Sequence, residues 1–128
     1  MELGYVIAYV QDVAATVKFY EAAFGLATRF ASETGEYAEL ETGATALAFA
    51  SEAMEPTHGE LHLNRIESKP GAVEIALVVS DVDAAFAKAV AAGAAPILDP
   101  VRKPWGQTVS YVRDNNGVLV EICSPVGS

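Results

Sequence analysis

The chain has 128 residues, 52% of them hydrophobic, and a formal net charge of −9; this is one domain's worth of chain, and the apolar content excludes disorder. Residues 1–64 hold ten acids and two Lys or Arg, and residues 65–128 hold seven acids and six, so the basic stripe that nucleic-acid phosphates require is missing. No apolar run reaches bilayer-spanning length, MELGYV lacks the basic start of a signal peptide, and a single cysteine, Cys123, permits no internal disulfide, which together lead us to expect a cytoplasmic protein with no membrane partner. The acidity reads first as a source of solubility and second as a field that draws cationic ligands.

In chain order, YVIAYV at 5–10 alternates as a strand does, and Asp12 stands where a helix N-cap belongs. The helix is expected to run to about Phe24, with Val13, Val17, Tyr20 and Phe24 on its buried face and Gly25 as a left-handed C-cap. Strands follow near 26–32, 36–41 and 45–50. Residues 51–72 are polar, carry Pro56 and Pro70, and read as a linker or a lid. A strand at 74–79 comes next, then Asp81 as cap and a helix burying Val82, Phe86, Ala89 and Val90, with Gly93 as its stop. The last strands fall near 96–98, 108–113 and 117–123, with Asn115-Asn116-Gly117 read as a hairpin turn.

The two halves repeat one another. YVIAYVQDVAATVKFYEAAFG at 5–25 and VEIALVVSDVDAAFAKAVAAG at 73–93 share strand, Asp, Ala-rich helix and Gly, and Asp12 and Asp81 are 69 residues apart, as are Tyr5 and Glu74. The expected fold is therefore α+β, a single domain over 1–128 built from two βαβββ modules at 4–50 and 73–125, joined by 51–72.

This doubled βαβββ pattern, closing with KPWGQTVSYVRDNNGVLVEI at 103–122, resembles the vicinal oxygen chelate superfamily, which includes glyoxalase I, extradiol dioxygenases, fosfomycin-resistance enzymes and bleomycin-binding proteins. The resemblance covers about residues 4–125. It implies curved sheets that enclose a ligand cavity, usually completed in a homodimer, with metal ligands on the first and last strand of each module. Carried over by position, those ligand sites fall on Tyr5 and Glu74 on the first strands and Glu121 on the last strand of the second module. Strand parity gives its partner: Leu47 and Phe49 match Val120 and Ile122 as helix-facing residues, which leaves Ala48 facing the cavity at the position equivalent to Glu121.

Two carboxylates, a phenol and a methyl make a poor transition-metal site, so no metal cofactor is expected. The alternative is a divalent metal ion held by Glu74 and Glu121 with waters, or completed by His58 or His62, although both histidines read first as exposed loop residues. Parity puts Tyr5, Ile7 and Tyr9 on the face away from the helix, and Tyr37 with Glu39 together on another strand. These residues would form an aromatic wall of the kind small-molecule pockets have. Trp105, in Pro104-Trp105-Gly106, is either a plug at a sheet edge or a stacking platform; the resemblance favours the platform, because bleomycin-binding proteins carry a similar segment on the ligand groove. Arg102 and Lys103 beside it are solvated or meet an anionic group, and Cys123 reads as a small buried apolar residue.

The functional expectation is a glyoxalase/bleomycin-resistance-type protein that binds or sequesters an aromatic or cationic small molecule over an incomplete metal site. Its ligand-binding residues are Tyr5, Tyr9, Tyr37, Ala48, Glu74, Trp105 and Glu121. The alternative is a metal-dependent lyase, isomerase or dioxygenase; a metal-free enzyme with Glu74 or Glu121 as base is a third reading. A homodimer is expected because open sheet edges invite pairing.

Overall fold

Each half of the chain folds as strand, capped helix and a three-stranded meander, as the repeat requires. The elements are β1 (Tyr5–Val10), α1 (Val13–Phe24), β2 (Thr28–Ala31), β3 (Tyr37–Leu40) and β4 (Ala46–Ser51), then β5 (Glu74–Val78), α2 (Val82–Ala91), β6 (Ala95–Arg102), β7 (Thr108–Arg113) and β8 (Leu119–Cys123). They come from a computed structural model that describes residues 1–54 and 58–127; residues 55–57 of the connecting segment and Ser128 lie outside the described residues. The chain divides into two compact units, Met1–Asn64 and Arg65–Ser128, so the division falls inside the 51–72 segment. Each unit has one four-stranded sheet, ordered β1-β4-β3-β2 in the first and β5-β8-β7-β6 in the second. The strand that precedes the helix is parallel to its neighbour, and the other pairings are antiparallel. The fold is α+β, with two open sheets that each carry a helix.

The caps form as expected. Asp12 and Asp81 accept from the backbone N–H groups of Ala15 and Ala84 at 2.9 and 3.0 Å, each satisfying one orphan donor of its helix. Gly25 ends α1 in the left-handed region at φ 69°, while α2 ends through Ala92, followed by Gly93 at φ 111°.

The buried stripe of α1 is rotated from the expected one. Val13 and Tyr20 are buried, but Thr16 and Ala23 take the other buried positions, and Val17 and Phe24 are only half-buried. Thr16 tolerates burial because its hydroxyl donates to the Asp12 carbonyl at 2.8 Å, and Ala23 is small enough to face a closely approaching sheet. In α2, Val82 and Ala89 are buried and Phe86 and Val90 half-buried. The core of unit 1 centres on Tyr20 against Phe49, with ring centroids 4.9 Å apart. Phe49 and Leu40 are fully buried, and each such side chain contributes about 1.5–3 kcal/mol relative to exposure. Val10 joins this core, but Val6 is 40% exposed and Ala8 half-buried, so β1 meets the core mainly at its C-terminal end.

The β7–β8 connection is more than the Asn-Gly turn read from the sequence. Asp114, buried at 2% exposure, accepts from the N–H groups of Asn116 and Val118 through Oδ1 and ties the loop from beneath. Next to it, Arg113 donates to the carbonyls of Gly117, Ile66, Arg65 and Ser68. One guanidinium thus fastens the first residues of unit 2 onto the β7–β8 loop.

Candidate functional site

The face of each sheet away from its helix carries the polar residues, and register fixes which ones. In unit 1, Ile7 pairs with Ala48, Ala48 with Glu39, and Tyr9 and Tyr37 both with Ala50, so these side chains share one face. In unit 2, Ala76 pairs with Glu121 and Glu121 with Tyr111. Ile7 and Ala76 are 69 residues apart, so Ala48 and Glu121 occupy the same place in the two units. The strand-parity argument therefore holds for that pair.

The face of unit 1 is roofed by its own chain. A cavity of about 560 Å³ lies between the sheet residues Ile7, Tyr9, Tyr37 and Ala50 and the segment that follows β4. That segment contributes apolar side chains from Met54, Leu61 and Leu63, and the acids Glu52 and Glu60. His58 closes one side: its Nε2 lies 2.9 Å from the Tyr9 hydroxyl, its Nδ1 3.2 Å from the Gly59 carbonyl, and its ring meets Tyr9 edge-on at 5.1 Å. Volume and lining match the mostly apolar pockets with a few polar groups that take small molecules.

Beside the cavity, Glu39 has both oxygens engaged. Tyr37 donates to Oε2 at 2.8 Å, and Arg29 Nε lies 3.3 Å from Oε1. Burial, then the hydrogen bond and the charge of Glu39, push the Tyr37 phenol up to about 12, so it keeps its proton and stays a donor to Glu39.

In unit 2 the notable pair is Glu74 and Glu121. The hydrogen bond to Glu121, then burial, then repulsion from the Glu121 charge hold the Glu74 carboxyl above the usual carboxylate range. A carboxylate beside another is harder to ionise, because like charges repel. Glu74 is exposed and Glu121 half-buried, so they are less enclosed than the sequence suggested. Tyr111 donates to Glu121 at 3.3 Å, and its phenol is raised by burial and then by the two acids. Cys123 is buried, and burial followed by Glu121 pushes its thiol up to about 11; a neutral thiol at pH 7 is no nucleophile.

The other sequence-derived positions fall as follows. Tyr9 and Tyr37 line the unit 1 cavity. Tyr5 is 54% exposed at the start of β1, and Ala48 is fully buried on the same face. Trp105 is 57% exposed at the β6–β7 turn, where its Nε1 donates to Gln107 at 2.9 Å, so it is not a core residue of unit 2. His62 is exposed, whereas both ring nitrogens of His58 are engaged within unit 1. Sequence reasoning missed Ala50, Met54, Glu52, Glu60 and the two leucines. Their only signal was the mixed apolar and acidic content of a segment without periodicity.

The residues present do not fit a transition metal. At the positions the resemblance marks, unit 1 offers a phenol and a methyl, and unit 2 two carboxyls, of which Glu74 is held above the usual carboxylate range. Imidazole and thiolate, the donors such ions favour, are missing from both sets. Among the described residues, no three of His, Cys, Asp and Glu gather into a metal-binding group, and no helix is long and apolar enough to cross a membrane.

The sequence model of the Glyoxalase/Bleomycin resistance protein/Dioxygenase superfamily matches residues 2–122. Among solved structures, the chain is similar to a glyoxalase-related enzyme from Fulvimarina pelagi, at 23% identity and TM-score 0.82, covering 98% of this chain and 88% of that one. It is similar to TioX from Micromonospora sp. ML1 at 26% identity and TM-score 0.73, covering 97% and 98%. A glyoxalase/bleomycin resistance protein/dioxygenase from Nocardioides aligns at 22% identity and TM-score 0.75, covering 98% and 84%. No curated protein matches the chain.

Proposed function

The chain belongs to the glyoxalase/bleomycin resistance protein/dioxygenase superfamily, and within it we propose that it binds or sequesters an aromatic or cationic small molecule without a metal ion. The observation that carries this reading is the unit 1 cavity, about 560 Å³ in volume, walled by Tyr9 and Tyr37 and roofed by Met54 and Leu61. Tyr5 and Ala48 support the metal-free part, because a phenol is a poor ligand for such metals and a methyl group is none. The test combines elemental analysis of protein purified without chelator or affinity metal with equilibrium binding of a panel of aromatic and cationic compounds. Stoichiometric Zn, Ni, Fe or Mn surviving gel filtration would restore the metal-dependent lyase, isomerase or dioxygenase alternative.

A second reading rests on the adjacent carboxyls of Glu74 and Glu121, the first of them held above the usual carboxylate range by the second. Such a pair is suited to general acid–base chemistry, with one carboxyl as donor and its neighbour as acceptor. Turnover of a bound compound that is lost in Glu121→Gln while binding persists would favour this enzyme. Assembly as a homodimer in the cytoplasm completes the proposal. Exposed Tyr5, Val6 and Ile7 on the edge strand β1 support the dimer, and the single reduced cysteine supports the compartment. Sedimentation as a monomer at micromolar concentration would remove the dimer.

A further inference from the structure

We infer that the unit 1 cavity is built for an organic cation, an ammonium group carried on an apolar or aromatic body; the inference rests on the binding reading above and narrows it. Hydrogen-bond polarity is the basis. Among the described lining residues, three side-chain groups can donate, and each is already engaged inside unit 1. The Tyr37 hydroxyl donates to Glu39 at 2.8 Å. The Gly59 carbonyl can only accept, so His58 Nδ1 donates to it across 3.2 Å. The Tyr9 hydroxyl is engaged by His58 Nε2 at 2.9 Å. Every donor-bearing side chain among the described lining residues is therefore already engaged, and an anion entering the cavity must compete with one of these bonds to gain it.

The wall instead offers electron density. Glu52 and Glu60 bring carboxylates, Tyr9 and Tyr37 bring ring faces, and none of the described lining residues is Lys or Arg. Carboxylates and aromatic faces both attract a cation. Ile7, Leu61 and Leu63 provide apolar surface for the body that carries it. The wider field points the same way, since residues 1–64, the span of unit 1, hold ten acids against two Lys or Arg.

Three probes of one shape separate charge from fit: 4-phenylbutylammonium, 4-phenylbutanol and 4-phenylbutanoate. The chain has two methionines; Met54 lines the cavity and Met1 stands exposed at the terminus, so methyl-labelled methionine gives a cavity signal and an internal control. The Met54 resonance is expected to move on titration while Met1 stays, with the ammonium binding about tenfold more tightly than the alcohol and the carboxylate weakest. Glu60→Lys, at an exposed position, should reverse the order of the two charged probes. Glu52→Gln with Glu60→Gln should bring the ammonium and the alcohol to similar affinity. If the three probes bind alike, if the carboxylate binds best, or if Glu60→Lys leaves the order unchanged, the charge preference is refuted while the cavity remains a binding site. If no probe moves Met54, the binding reading fails and the inference falls with it.

Discussion

Replacing Gly117 with alanine tests the arginine-centred fastening of unit 2, and its cost separates into two parts. Gly117 sits at φ +88°, and a Cβ there would lie 2.5 Å from both the Arg65 carbonyl oxygen and Arg113 Nη2. The backbone part is the strain of an L-residue at positive φ, about 1–2 kcal/mol. The contact part arises because the Arg65 carbonyl must retreat, which opens the Arg113–Arg65 hydrogen bond of 3.2 Å and loosens the neighbouring bonds to Ile66 and Ser68. A hydrogen bond from a charged group contributes about 1.5–3 kcal/mol; the low end applies here, since the freed carbonyls lie within reach of water. The expected total is about 3 kcal/mol. Gly35→Ala is the matched control, because Gly35 has φ +76° but nothing within 4 Å of its would-be Cβ, so it reports the backbone part alone. Urea unfolding followed by circular dichroism should show Gly117→Ala losing about 1.5 kcal/mol or more beyond Gly35→Ala. Gly117→Ala and Arg113→Met should also be less than additive, since both disrupt the same bonds. Equal losses for the two alanine variants would refute the reasoning.

Asp12→Ala and Asp81→Ala each remove one helix cap and should cost about 1 kcal/mol in the same unfolding experiment, with the two losses adding because the caps lie in different units. Glu121→Gln should lower the Glu74 pKa toward its ordinary value, followed by carboxyl-carbon NMR. Because the folded protein holds the Glu74 proton more tightly than the unfolded chain does, wild-type stability should fall as pH rises from the ordinary carboxylate range through the raised value. That slope should flatten in Glu121→Gln, and an unchanged Glu74 titration would dismiss the coupling between the two acids. Trp105→Phe should alter stability by no more than about 0.5 kcal/mol, as expected for an exposed side chain with one hydrogen bond to Gln107; a loss several times larger would return Trp105 to a core role.

What was legible in the sequence was periodic. The 69-residue repeat matched β1 with β5 as equivalent strands, and alternation put Ala48 on the other face from Phe49 and Glu121 on the other face from Ile122, because a strand has no freedom to turn one side chain without turning its neighbours. Asp12 and Asp81 were legible as caps because capping is local chemistry within three residues. The roof over unit 1 was hidden for the converse reason. His58 meets Tyr9 across 49 positions and Arg113 reaches Arg65 across 48, and neither contact leaves a pattern in its own neighbourhood. The helix stripe misled by hydrophobicity: Val17 and Phe24 are more apolar than Thr16 and Ala23, yet a hydroxyl satisfied by its own helix and a side chain of one carbon fit the closest approach to the sheet better.

The matched rungs Ala48–Glu39 and Glu121–Tyr111 have a consequence for how the two halves answer acid and base. Each rung holds one carboxylate, but the carboxylate has changed strands between them, and its company has changed with it. On the first sheet it is paired where it stands with Arg29 and braced by Tyr37. On the second sheet the acid faces another acid across the β5–β8 seam and Tyr111 across the β7–β8 seam. Glu74 is there held above the usual carboxylate range by its neighbour Glu121. The two halves share one architecture and differ in which strand of the rung carries the charge, so each presents it to different company.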